Sequence, residues 1–301
     1  MKTNFILGMS VLVLALGSCK KDNELKENDK KTDSVVVVAL PEIHKELYGI
    51  YSGDFETEYN PNADHVKDNY MIKKLSIKLN KITKDSVYGY SVVNGNQRPF
   101  RGVYNENANT FVLDEPGDDK TDGRFQVTLR KDSLVGNWKA FNTQAVKSPQ
   151  KMVRLLKKDF VYNANFMLDK DNSDIVDWTT TKMGKGSYED ENGKKITYDV
   201  EKQRYASDAI FTVNASKEKL TEKDLKNLKK LDMEIIKNAV FARHGYSFKK
   251  ETYRQFFNYQ DWYVPVSNNV DNDLSPLEKE NVALLNRFIK YAEDNYDTFG
   301  R

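Results

Sequence analysis

The chain is nearly without cysteine and histidine, with one Cys and three His in 301 residues. A single thiol excludes both a disulfide framework and a thiolate metal cluster, so an exported chain of this kind has to fold by packing alone. The three histidines, His44, His65 and His244, are scattered too widely to form a readable zinc set or a serine–histidine–aspartate triad. No metal and no cofactor is expected. An excess of one charge is missing as well. With 47 Lys and Arg against 45 Asp and Glu the net charge is only +2, although 31% of residues are charged. So even a surface leaves no nucleic-acid footprint. The apolar run near the start, Phe5 to Leu16, is too short for a dependable membrane span. What remains is a length that accommodates two modest domains, each large enough for its own core.

The amino-terminal residues 1–18 place one early Lys2 before that apolar run and small Gly17 and Ser18 after it, the layout of an export signal. Leu16-Gly17-Ser18-Cys19 resembles the lipobox of bacterial lipoproteins, which implies that Cys19 is the lipidated first residue and the membrane its partner. Each buried methylene contributes roughly 0.8 kcal/mol, so two or three acyl chains hold a protein firmly where one does not. Residues 19–42 read as a disordered tether, since Lys20 to Asp33 is almost wholly Lys, Asp, Glu, Asn and Thr. A segment of this length spans on the order of 20 Å. Lys21-Asp22-Asn23-Glu24 resembles the export signals of surface lipoproteins of the Bacteroidetes; a plain solvated charge run is the other reading. The expected location is the outer membrane, on its periplasmic or its cell-surface face.

From 43 to 165 the apolar period becomes two. Leu75, Ile77 and Leu79 alternate with Ser76, Lys78 and Asn80, and Phe125, Val127 and Leu129 alternate with Gln126 and Thr128. Eight strands are expected: 47–59, 71–82, 86–93, 98–104, 110–113, 123–130, 133–141 and 151–156. Turn signals such as Asn94-Gly95-Asn96 and Lys131-Asp132 leave only short connections, so the strands form an antiparallel meander. Eight of them can close into an up-and-down barrel, lipocalin-like in architecture, that either fills with side chains or holds one small ligand. Tyr48, Tyr51, Tyr88, Tyr90, Phe125 and Trp138 are the residues that would line a cavity or fill that core.

Residues 166–204 read as a connector with a small hairpin, Glu191-Asn192-Gly193-Lys194 flanked by Ser187-Tyr188 and Ile196-Thr197-Tyr198-Asp199-Val200. Asp169 to Asp174 has the look of the opening of a calcium loop, but Asp174 stands where that loop needs glycine and Thr180 where it needs glutamate. From 205 to 301 the pattern turns helical. Leu231, Ile235, Ile236, Ala239 and Val240 recur at the spacings of one helical face, with Asp232 near the start as a cap and Gly245 as the stop. Thr221 with Asp224 approximates a capping box, and Ser275-Pro276-Leu277-Glu278 makes a fuller one, so the last helix begins there and runs to about Tyr296. A helix from Glu251 to Phe257 lies between them, followed by Trp262 and Tyr263.

Phe241-Ala242-Arg243-His244-Gly245, followed by Tyr246, Phe248 and Asp261-Trp262-Tyr263-Val264-Pro265, resembles the YARHG domain, a small extracellular bacterial module named after that pentapeptide. Phe241 stands where the name has Tyr, which keeps the ring and loses the hydroxyl. The resemblance runs from about Tyr205 to Arg301 and implies no established activity. The fold class expected is therefore α+β: an antiparallel barrel followed by a small all-helical YARHG domain.

Arg243 and His244 invite a catalytic or anion-binding reading. Their place in the last turn of a helix favours architecture instead, with positive side chains capping free carbonyls and Arg243 pairing with Asp261 or Glu251. Glu234 and Glu280 are spare carboxylates. Phe241, Ala242, Arg243, His244, Gly245, Trp262 and Tyr263 are thus read as a structural motif, with no catalytic residue. The function expected is a lipid-anchored envelope protein that binds a protein partner or an envelope polymer. The alternatives are a carrier of a small apolar ligand inside the barrel and an envelope glycan or peptide hydrolase working through His244 or a carboxylate pair. Oligomeric state is not legible.

Overall fold

The computed structural model describes residues 40–57 and 73–296. The export signal, Cys19, nearly all of the tether, His65, the outer ends of the first two expected strands and the last residues of the chain lie outside the described residues.

Eight strands form a closed antiparallel barrel in sequence order: β1 (Gly49–Thr57), β2 (Lys73–Ile82), β3 (Val87–Val93), β4 (Asn96–Asn105), β5 (Thr110–Asp114), β6 (Gly123–Arg130), β7 (Ser133–Ala140) and β8 (Gln150–Lys158). Each pairs with its successor, and β8 returns to β1 with Gly53 opposite Leu155. The alternation seen in the sequence sorts the side chains. Leu75, Ile77 and Leu79 point inward with Phe111, Leu113, Val127, Leu134, Val153 and Leu155, and each is buried to within 1%. The interior is filled. Tyr51, Phe125 and Trp138 belong to that core, whereas Tyr88 and Tyr90 face outward under Arg101 and Lys78 respectively. The β3–β4 turn uses Asn94 and Gly95 at φ 51° and 77°, the left-handed pair that a two-residue hairpin turn requires.

Beyond the barrel the chain makes a two-stranded ribbon, β9 (Val176–Glu189) with β10 (Lys195–Tyr205). It is longer at both ends than the small hairpin expected over 187–200. The rest of its length gave little signal because no residue from Trp178 to Gln203 is buried, and only Ile196, Tyr198 and Val200 alternate apolar with polar.

Four helices follow: α1 (Glu222–Leu225), α2 (Lys230–Arg243), α3 (Glu251–Phe257) and α4 (Pro276–Asn295). Helix α2 is central. Leu231, Ile235 and Ala239 pack with Phe248, Phe256, Phe257 and Tyr263, while Met233, Ile236 and Val240 pack with Leu225, Leu285 and Ile289. The single apolar face expected of α2 is in fact two. Neighbours such as Ile235 and Ile236 stand about 100° apart on the helix and so face opposite clusters. Lys229 occupies the N-cap position and Asp232 the third helical position, from which its carboxylate accepts from the Lys229 amide at 2.8 Å. Asp232 is thus a capping-box partner and not the cap itself.

The barrel and the helices touch on one side. Lys74 Nζ donates to the Gln260 carbonyl at 2.7 Å, and the Gly95 amide to Ser247 Oγ at 2.9 Å. Ser52 and Ser76 face outward from β1 and β2, the strands nearest that contact, yet are buried and hydrogen-bonded to each other at 2.9 Å.

Candidate functional site

The corner after α2 is built as a helix stop. Gly245 takes φ 75°, its amide donates to the Ala242 carbonyl at 2.9 Å, and the Tyr246 amide donates to the Phe241 carbonyl at 3.0 Å. This is the paired closure of a Schellman motif, and the positive φ is what calls for glycine. A Cβ at Gly245 would also collide with Val266, Phe160 and the Val264 carbonyl.

Neither Arg243 nor His244 caps α2 with its side chain, and Arg243 pairs with neither Asp261 nor Glu251. Arg243 is the largest of the fully buried side chains. Its guanidinium donates to the Phe166 carbonyl at 2.6 Å, to Ser216 Oγ at 3.1 Å and to Met167 Sδ at 3.3 Å. Glu251 instead lies beside Arg254, and the Asp261 carbonyl takes Lys158 Nζ. The reason is direction: helical side chains lean toward the N-terminal turn, which points Arg243 at residues 166–167 and 216. Burial lowers its pKa to about 10, with Tyr162 and Glu278 opposing that shift.

His244 is 8% exposed, its ring stacked on Tyr162 at 4.3 Å and its Nε2 2.9 Å from Glu278 Oε2. Glu278 is the capping-box residue of α4. Its Oε2 accepts from the Ser275 amide at 2.9 Å, and its Oε1 from the Tyr162 hydroxyl at 3.0 Å. Burial pushes Glu278 up, but the Ser275 amide and His244 outweigh it and hold the carboxyl below its ordinary range. The capping box was legible in the sequence; its use as the hydrogen-bond partner of a histidine 34 residues away was not. The motif's other aromatics are fixed too. Trp262 Nε1 donates to the Met167 carbonyl at 2.8 Å, and the buried Tyr263 donates to the Tyr246 carbonyl at 2.7 Å. Phe241 packs between the two helical clusters and Ala242 is buried within one. The side-chain hydrogen bonds of Arg243, His244, Trp262 and Tyr263 all run to other parts of the protein.

The spare carboxylates are similarly occupied. Glu280 is exposed and pairs with Lys219 at 3.1 Å. Glu234 is buried and accepts from Arg204 Nη1 at 2.9 Å, while Arg204 Nε and Nη2 donate to Asp177 Oδ2 at 3.0 and 2.7 Å. Arg204 therefore fastens the base of the ribbon to α2. In the stretch that resembles a calcium loop, Asp169 accepts from the Asp171 amide and the Asn172 side-chain amide.

The surface differs from the interior most at the ribbon. Pairing jumps from Gln203–Thr181 to Arg204–Asp177, a bulge that frees Trp178 to Thr180 to reach α3: the Trp178 amide donates to Gln255 Oε1 at 2.9 Å, and Thr179 bonds Thr252 at 2.7 Å. Above that base one face carries Tyr188, Ile196, Tyr198 and Val200 around Gly184 and Gly186, the Tyr198 ring lying over Gly186. Met183, Tyr188 and Tyr198 are 61%, 56% and 50% exposed. Tyr188 and Ile196 to Val200 are expected in a hairpin; what the sequence does not show is that this face stays open. The available signal was the aromatic pair set against two glycines, over one of which the Tyr198 ring lies.

Comparison with known families matches the model of the YARHG domain to residues 208–290. No curated protein and no solved structure matches the chain.

Proposed function

We propose that this is a lipid-anchored cell-envelope protein that binds and does not catalyse, with the β9–β10 ribbon as its contact element. The YARHG match favours an extracellular or envelope protein. The anchoring rests on the lipobox-like Leu16-Gly17-Ser18-Cys19, with the outer membrane as the location and Cys19 as the acylated residue. The observation that carries the binding reading is the ribbon itself. Two strands alone are marginal in water unless a helix or further strands cover them, and here Thr181 to Gln203 has no buried residue and Tyr188 and Tyr198 are exposed. Exposed aromatic rings beside glycines suit stacking on sugar rings or on a partner's apolar side chains. The alternatives find less support. A barrel interior filled by Leu75, Ile77, Phe111 and Leu155 leaves no through-cavity for an apolar cargo, and a hydrolase needs His244 open to substrate, whereas it is enclosed by Tyr162 and Glu278.

The test is co-sedimentation of the purified chain with isolated cell envelopes, comparing wild type with the double variant Tyr188→Ser/Tyr198→Ser. Loss of pelleting with an unchanged melting temperature supports the ribbon. Equal pelleting would remove it as the contact element.

A further inference from the structure

We propose that the outer edge of β10 is a pairing site for a second copy of this chain, joined antiparallel about a twofold axis at Tyr198. The proposal concerns the edge of the ribbon and does not depend on what its tyrosine face contacts.

Among the described residues β9 and β10 form a sheet of two strands, so each has one edge with no strand beside it. The turn fixes which groups that edge offers. The Asp190 amide donates to the Lys194 carbonyl at 2.9 Å, and from there Tyr188 stands opposite Ile196, Gly186 opposite Tyr198 and Gly184 opposite Val200. Hydrogen-bonded pairs alternate along an antiparallel ladder, so these even-numbered residues bond across the ribbon. The amides and carbonyls of Lys195, Thr197, Asp199 and Glu201 therefore point outward. All four residues are exposed. Natural edges are commonly blunted by proline or a bulge, yet β10 has no proline and pairs regularly with β9 from Lys195 to Gln203.

The charges on that edge define the partner. A twofold axis at Tyr198 sets that residue beside its own copy, Ile196 opposite Val200, Thr197 opposite Asp199 and Lys195 opposite Glu201, the last three pairs each made twice. The four residues whose backbone points outward meet one another, so the hydrogen bonds fall in register with the side-chain match. Lys195 and Glu201 make no ion pair among the described residues, whereas Lys185 and Asp199 on the same face pair at 2.5 Å. On the other face the two copies of Ile196, Tyr198 and Val200 form one apolar row. Neighbouring registers are worse. An axis at Asp199 or Val200 opposes Asp199 to itself or to Glu201, and an axis at Thr197 shortens the ladder. The β9 edge has no such match: an axis at Lys185 sets it against its own copy, and Gly184 and Gly186 on either side have no side chain to pack. The β10 edge is thus self-complementary, as a twofold dimer contact requires, and its pairing turns a marginal two-stranded ribbon into a four-stranded sheet.

The test is sedimentation velocity on the full chain carrying Cys19→Ala, so that acyl groups cannot drive association. A concentration-dependent dimer is expected. Lys195→Glu and Glu201→Lys each oppose like charges twice, and each is expected to weaken the dimer at least tenfold. Mixing the two variants sets opposite charges against each other again and should restore association to within a few-fold of wild type, which separates a lost contact from a lost fold. In the same background Tyr198→Cys is expected to give a disulfide-linked dimer with diamide as oxidant, whereas Ile196→Cys or Val200→Cys, each remote from its own copy, is not. A monomer at every concentration up to millimolar, open-ended assemblies, a dimer indifferent to both charge reversals, or a mixture that fails to associate overturns the proposal. Neither charge variant lies on the tyrosine face, so co-sedimentation with envelopes reads the ribbon's contact role separately.

Discussion

At the scale of single residues, the corner around His244 behaves as a closed electrostatic unit. Glu278 is fully buried and accepts from three donors, so removing one leaves a carboxylate partly unmatched. His244→Ala is expected to cost about 1–3 kcal/mol of stability, a drop of several degrees in melting temperature. Arg243→Lys is expected to cost roughly as much as Arg243→Ala, about 2–4 kcal/mol, because an ammonium cannot reproduce three bonds to Phe166, Ser216 and Met167 from one rigid fork. Both are read by thermal or denaturant unfolding. Two of the buried glutamates, Glu278 and Glu115, give opposite pH responses. The carboxyl of Glu278 is held below its ordinary 4.5, so its contribution is full above that pH and is lost as pH falls through the folded value. The stability gap between wild type and Glu278→Gln should therefore narrow as pH drops below 4.5. The carboxyl of Glu115 is raised, so its contribution is full below 4.5 and declines as pH rises through the folded value. Glu115 accepts from Ser91 Oγ, the Gly123 amide and Trp138 Nε1. A glutamine there fits the same bonds, its NH₂ donating to Ser91 and its carbonyl accepting from Gly123 and Trp138. Glu115→Gln should equal wild type near pH 4 and exceed it at pH 7; a variant less stable at both would contradict this account of Glu115.

At the scale of elements, legibility followed burial. The eight barrel strands were readable because one face of each is buried, as with Leu75, Ile77 and Leu79, and the period-two signal exists only where that is so. The starts of α1 and α4 were readable from Thr221–Asp224 and Ser275–Glu278, whose bonds are local in sequence. What escaped were partners set by tertiary approach: Arg243 to Phe166, Tyr162 to Glu278, and Arg204 to Asp177 and Glu234. No spacing rule links such residues. The ribbon's length beyond the hairpin expected over 187–200 escaped for the opposite reason, since it has no buried face to announce it. Its attachment is concentrated at Arg204, 5% exposed between two carboxylates. Arg204→Ala would strand Asp177 and Glu234 in the interior, at a cost of about 3–5 kcal/mol. Arg204→Met keeps the packing and still loses the clasp. Both variants should show faster amide exchange from 176 to 205 than wild type, while the barrel strands exchange as before. Uniform acceleration across the chain would mean that Arg204 holds the whole fold and not the ribbon.

At the scale of the whole molecule, the described residues belong to one compact unit, with Lys74, Gly95 and Lys158 of the barrel bonded to Gln260, Ser247 and Asp261. Burial, followed by the neighbouring Lys158, lowers the Lys74 pKa to about 8. The charged form is the disfavoured one in the fold, so stability should rise with pH between about 8 and the unfolded value of 10.5. Lys74→Met should flatten that rise. In the proposed setting, this unit hangs from acylated Cys19 on a charged tether. Mass analysis of the mature chain should find acyl groups on Cys19, and Cys19→Ala should move the protein from the membrane fraction to the soluble one. The central claim is that the uncovered ribbon is the contact element and the sealed YARHG corner is the frame that holds it. Hydrogen–deuterium exchange with and without isolated envelopes tests it most directly. Protection gained across residues 178–203, with the corner around His244 already protected in the free protein, is the predicted result. Protection gained at the corner, with the ribbon unchanged, would contradict it.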